Sequence, residues 1–166
     1  IFFTTNLEFS NGAGNHISQV EIDEKANILH TILNYDFSEQ LRLNLCKKDP
    51  MFNSLLNSYP QRWHNGWKDG SVLRPIIHHN TYASNKYDSY LNTYSRMYNW
   101  EAAKFAAAQL LTRELIELIC NEAKSMGFDG IYGHEIDRWI KNNEVIAQPW
   151  LCIFNKEIIS QPCWIS

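Results

Sequence analysis

Residues 99–127 constrain the fold of this chain more than any other stretch. Asn99 is a residue type whose side chain caps helices. Over 100–126 the residues Ile116, Ile119, Cys120, Ala123 and Met126 fall on one stripe at helical spacing. Gly127 is the residue expected just beyond the last turn. A long helix with one apolar stripe must bury that stripe against other elements, because packing rather than propensity holds such helices. The next residues, "FDGI" over 128–131, read as a short buried strand. Further on, "PWLCIFN" is a continuous apolar run of the kind found in strands covered on both faces.

The other segments fit around that frame. "IFFTT" over 1–5 is β-branched and aromatic and predicts a strand. "NGAGN" over 11–15 is a loop, and "HISQVEI" over 16–22 alternates well enough to read as a second strand. Residues 27–33 fit a strand or a short helix. Ser38 is placed to cap a helix over 39–48 with Leu41 and Leu45 on one face. Asp49 and Pro50 open a further helix carrying Met51, Phe52, Leu55, Leu56 and Tyr59, and Pro60 ends it. Glycine, proline and polar residues over 60–84 predict loops around an extended piece at 72–77. Tyr87, Tyr90, Leu91, Tyr94, Met97 and Tyr98 form one helical face. "YGHEIDRWIKNNEV" reads as a loop with one short helical turn. The expectation is one α+β domain over 1–166, with helices in the middle and strands at both ends.

Composition narrows the function. The net charge of −3 supplies no overall basic field for nucleic acid. No apolar run reaches the roughly 20 residues of a membrane span, and no secretory signal is visible. The four cysteines lack CxxC spacing, and three sit in apolar patterns, which suits small buried hydrophobes in a reducing compartment better than zinc or disulfides.

Two blocks carry a family likeness. "FFTTNLEFSNGAG" followed by "HISQVEI" resembles the second conserved strand region of the ADP-ribosyltransferase-like fold. "MGFDGI" followed by "WLCIFNKEII" resembles the C-terminal part of the same fold, above all in phage-associated and toxin members. The resemblance covers about 50 residues and leaves 34–98 unmatched. It implies split β-sheets with a helical middle insertion and a cleft that takes NAD as substrate. The implied reaction is cleavage of the nicotinamide–ribose bond and transfer of ADP-ribose to an acceptor that the sequence does not identify. The implied binding wall is Phe3, Thr4, Thr5 and Asn6. The family's first motif, an Arg or His on an earlier strand, would fall ahead of Ile1. Its catalytic Glu, at the start of the last apolar strand, falls on Trp150. The nearest carboxylate is Glu144, which becomes the expected catalytic group beside an oxocarbenium-like transition state.

Each candidate has a plainer reading. Thr4 and Thr5 are also simple β-formers, and Phe2 and Phe3 point to opposite faces, so only one of them can stack a ligand. Glu144 in "KNNEV" also fits a solvated turn. His134 and Glu135 fit acid–base groups or a surface loop, and Asp129 fits a turn ligand better than a reacting group. Arg, His and Trp in "RWHNGW" and "HHN" suit a nucleotide phosphate or base, whereas His64, His78 and His79 make a poor metal set. The expected enzyme is intracellular, of phage or mobile-element type, with no membrane contact and no metal. The alternative from another class is a non-catalytic interaction domain of the same fold, such as a virion component, with a protein partner on the Tyr/Trp-rich surface. A third is a nucleic-acid module built on 62–80.

Overall fold

The computed structural model describes residues 2–6, 10, 16–50, 53, 60–73, 81–136 and 147–165. Among them the elements run β1 (Phe2–Phe3), β2 (Ser18–Gln19), β3 (Ile28–His30), α1 (Tyr35–Lys48), α2 (Pro60–Asp69), α3 (Thr81–Tyr94), α4 (Trp100–Ser125), β4 (Gly130–Ile136), β5 (Ala147–Ile153) and β6 (Cys163–Trp164). Short 3-10 turns lie at Ser71–Leu73 and Lys156–Ile158. The chain is mixed α+β, as its patterning predicts. No described helix is long and apolar enough to cross a membrane.

Four strands form one sheet in the order β1-β5-β4-β3, and β2 pairs with β6 in a second, two-stranded sheet. β4 and β5 are antiparallel over seven residue pairs, from Gly130 opposite Ile153 to Ile136 opposite Ala147. β1 adds antiparallel to β5, with Phe3 opposite Leu151. β3 adds parallel to β4, with His30 opposite Tyr132. The two apolar runs near the ends of the sequence, 1–5 and 149–155, are therefore neighbours in one sheet.

α4 forms as its sequence requires. The Asn99 side chain accepts from the Ala102 amide at 3.0 Å, and Gly127 takes φ +88° just past the helix. Its buried residues include Ala103, Ala107, Leu111, Leu115, Ile119 and Ala123. A strict spacing of four drifts about 40° per step around a helix of 3.6 residues per turn. The main core accordingly takes up this seam at Leu111 and follows it to Ala123. α3 lies beside it, with the Lys86 ammonium 2.8 Å from the Glu114 carboxylate and the Tyr90 hydroxyl donating to the same group.

Several local expectations are corrected. α1 starts at Tyr35, so Ser38 lies inside the helix and does not cap it. Ser38 is fully buried, and its hydroxyl and carbonyl both accept from the Trp63 indole N–H, at 3.0 and 3.1 Å. Residues 60–69, expected as loop, are helical, and 71–73 form a 3-10 turn where an extended piece was expected to begin. α3 ends at Tyr94, which leaves Met97 and Tyr98 outside the helix and exposed. The strand expected at 128–131 begins at Gly130 and runs on to Ile136, through residues expected as loop. The helix expected from Pro50 to Tyr59 lies almost wholly outside the described residues, as do His78 and His79.

Asp129 is a turn ligand, as its position predicts. Its carboxylate accepts from the Asn27 amide at 2.9 Å and from the Asn155 side chain at 3.1 Å. Its backbone N–H donates to the Asn27 carbonyl, and its own carbonyl accepts from Phe154 and Asn155. One residue thus joins the start of β3, the start of β4 and the end of β5.

Candidate functional site

At the other end of the β4–β5 ladder the sheet turns polar. β1 leads there through Thr4, Thr5 and Asn6. The Thr4 hydroxyl donates to the Pro149 carbonyl at 2.8 Å and accepts from the Asn6 amide at 3.1 Å. Proline has no N–H to give to a ladder, and here the tie between the two segments is a side-chain hydroxyl on the proline carbonyl. The Asn6 amide nitrogen then donates to Gln148 Oε1 at 2.7 Å. Gln148 is directly opposite Glu135 on β4. Directly opposed residues point to the same sheet face with Cβ atoms about 5 Å apart. Asn6, Gln148 and Glu135 therefore form a polar row across three strands.

The surroundings of Glu135 are apolar toward the core. Two residues back on the same face, Gly133 lies beneath the Trp67 indole, where an added Cβ would come within 2.5 Å of the ring. Opposite Gly133 on β5 is Trp150, tilted against Trp67 with ring centroids 6.2 Å apart. Glu135 is half-buried at the edge of this aromatic block, and burial raises its carboxyl above the ordinary range.

The alternate residues of β4 point the other way. Tyr132 packs against His30, with ring centroids 4.5 Å apart, and stands edge-on to His134 at 5.9 Å. His30 Nδ1 accepts from the Leu33 amide at 3.2 Å, which leaves the ring proton on Nε2. His134 Nδ1 is 3.2 Å from the Trp67 carbonyl, which can only accept, so this ring carries its proton on Nδ1. Burial lowers the pKa of His30, and the charge of a protonated His134 would lower it further. The neutral pair thus carries one N–H and one lone pair on its two Nε2 atoms.

The residues expected as the binding wall are brought together in part. Thr4 and Asn6 meet the start of β5, and Phe3 pairs with Leu151. The Thr4 hydroxyl is already used twice, by Pro149 and Asn6. Thr5 is exposed, and Phe3 is half-buried. Glu144 lies outside the described residues. Trp150, where the resemblance would put a catalytic Glu, is a buried core residue. His64 is engaged elsewhere: its Nε2 is 3.1 Å from Glu39, its ring stacks on Tyr35, and Glu39 is held by Arg42. Among the described residues no group of three or more His, Cys, Asp or Glu is placed to hold a metal ion.

Gln148 has no motif of its own in the sequence, and Glu135 stood in a segment read as loop. The available signal was the alternation Ile131, Gly133, Glu135 against Tyr132, His134, Ile136. A glycine and a carboxylate at core-side positions disguise it. Compared with protein-family models, with curated proteins and with solved structures, the chain finds no match in any of the three.

Proposed function

We propose that the chain is an ADP-ribosyltransferase-like domain, whose polar sheet end takes the nicotinamide riboside part of NAD. One observation carries this reading. The two blocks that resemble the family lie more than 100 residues apart in sequence, yet they meet as adjacent antiparallel strands, Phe2 opposite Cys152 and Phe3 opposite Leu151. The Thr4 and Asn6 side chains tie them together where the resemblance expects the cleft. In this reading the exposed Thr5 and the half-buried Phe3 face the ligand, and Glu144 supports the cationic ribose in the transition state. Thr4 serves as the strand tie beneath them.

Nicotinamide released from NAD by the chain, separated by chromatography, tests the reading. Release above the buffer rate, together with an NAD-dependent rise in melting temperature, is expected. Glu144→Ala should cut release at least about tenfold, within the range of lost electrostatic stabilisation. Absence of both release and thermal shift removes the reading.

A second reading is favoured by a specific surface. Met97, Tyr98, Trp100 and Phe105 are all at least half exposed around the start of α4. Large exposed apolar patches mark interaction surfaces, and this reading takes these four side chains as part of one. A non-catalytic domain that binds a protein partner there would show neither release nor shift, and would lose that partner on Trp100→Ala.

A further inference from the structure

We propose that Cys120 and Cys152 form a peroxide-oxidisable dithiol, which closes to a reversible disulfide and clamps α4 to β5. This inference stands apart from the NAD reading and holds or fails without it.

The case is geometric. The two cysteines lie 32 positions apart in sequence, and folding brings their sulfurs to 3.7 Å, with the Cys120 S–H donating to Cys152 Sγ. Both stand on regular elements. Cys120 packs against the core from α4, and Cys152 is held in β5 opposite Phe2 of β1 and Ile131 of β4. A disulfide sets its sulfurs about 2 Å apart, so roughly 1.7 Å remains to close. Rotation about the Cα–Cβ bond of each residue moves its sulfur and leaves helix and strand in place. The other two cysteines differ: Cys46 is buried on α1 beside Arg42, and Cys163 is exposed on β6. Access to the pair is one-sided. Cys152 is only 5% exposed, while Cys120 is half-buried, so a water-sized oxidant arrives along the Cys120 side. The bond from Cys120 lowers the Cys152 pKa, and the same bond together with burial raises that of Cys120. Cys152 is thus the sulfur that ionises first, and the thiolate is the form that attacks.

The oxidant is hydrogen peroxide, and the steps balance. The Cys152 thiolate attacks one peroxide oxygen, the O–O bond breaks, and the departing hydroxide takes up the thiol proton as water. Cys152 is then a sulfenic acid. The Cys120 sulfur attacks the Cys152 sulfur, the S–O bond breaks, and a second water leaves with the Cys120 proton. Two thiols and one peroxide give one disulfide and two waters, the sulfurs oxidised and the peroxide reduced. A dithiol reductant reverses the link by exchange. The bond ties the long helix to β5, which has β1 on one side and β4 on the other. It also closes the chain between 120 and 152 when the protein unfolds, which lowers the entropy of the unfolded state.

The experiment treats the wild-type chain, Cys120→Ala and Cys163→Ser with hydrogen peroxide in dilute solution. Remaining thiols are alkylated, unreduced peptides are mapped by mass spectrometry, and melting temperatures are read with and without dithiothreitol. The wild type should give a linked peptide pair carrying Cys120 and Cys152. Its Tm should rise by roughly 5–15 °C, and dithiothreitol should reverse both changes. Cys163→Ser should keep the link and the rise, and Cys120→Ala should lose both. The peptide map of the wild type needs no substitution in the core, so it decides the matter even if Cys120→Ala folds poorly. Cys120 and Cys152 both still alkylated after peroxide, or Cys152 carried on to sulfinic acid beside a free Cys120, overturns the proposal. A link that forms with no rise in Tm overturns the clamp.

Discussion

β4 and β5 run side by side for seven pairs, and the two ends of that ladder are built for different tasks. At one end Ile131, Leu151, Cys152 and Ile153 are buried. Leu29 of β3 and the lower half of α4 join that end in the core. At the other end stand Glu135, Gln148 and Pro149, all half-buried, with Gln148 bonded to Asn6 and Pro149 to Thr4. The same two strands thus pass from a region where burial decides every residue to one where it decides few. The change falls at Gly133 and Trp150, where the Trp67 ring closes the core. Apolar area removed from water stabilises at roughly 25 cal/mol per Å². The buried end can therefore hold the register of the ladder and leave the polar end free for groups that would be costly in a core.

The largest effect should come from opening the boundary itself. Trp67→Ala removes a fully buried ring that touches Trp63, Trp150 and Gly133. Large aromatic deletions of this kind cost about 3–5 kcal/mol, and chemical denaturation should show a fall of that size. Trp67→Phe should cost clearly less than this, because the Trp67 indole N–H is buried with no hydrogen-bond partner among the described residues. Equal losses for the two substitutions would mean that the N–H is satisfied in solution.

Gly133→Ala should come next. Its Cβ would meet Trp67 Cε3 at 2.5 Å and Cζ3 at 2.7 Å, and a ring wedged against Trp63 and Trp150 has little room to give. Overpacking of a filled site costs about 1–3 kcal/mol, readable in the same denaturation experiment. A variant as stable as the wild type would show that Trp67 shifts freely, and would weaken the claim that the core closes at this point.

Thr4→Val probes the polar end at smaller scale. It keeps the shape and removes the hydroxyl that bonds Pro149 and Asn6. A loss of about 1 kcal/mol is expected, with the KM for NAD unchanged, because Thr4 ties strands in this structure. A large rise in KM with unchanged stability would return Thr4 to the ligand wall.

The contrast between the two ends also explains what was legible in the sequence. α4 and its caps were readable because Asn99, the stripe and Gly127 act within one helix. β5 was readable because an apolar run declares itself. α2 was not, since "QRWHNGWKD" looks like loop. The helix takes a glycine at 66 because Val72 comes so close that a Cβ there would lie 2.7 Å from the Val72 nitrogen. That reason is tertiary and leaves no local trace. The four-residue step between Trp63 and Trp67 was the clue, placing both rings on one helical face. The second half of β4 was hidden in the same way: Gly133 is required by a ring from α2. The polar row was the least legible part, because Asn6, Gln148 and Glu135 meet only through strand pairing.

The smallest effect should come from the buried end, where one exposed carboxylate holds three strands. Asp129 is held below the ordinary carboxylate range, first by the Asn27 amide and then by the Asn155 side chain. Its folded pKa therefore lies below the unfolded value of about 3.9. A group shifted down stabilises the fold above the unfolded pKa, and that contribution fades as pH falls through the folded one. Asp129→Asn keeps the shape but replaces one acceptor with a donor, so it cannot accept from both partners. The wild type should melt above the variant at neutral pH, with the gap narrowing below about pH 4 and closing once Asp129 is protonated. A variant that melts with the wild type at every pH would mean that backbone bonds alone tie the knot, because both side chains leave those in place. The apolar end would then need no charged group at all, and the division between a buried end that sets the register and a half-buried polar end would be sharper still.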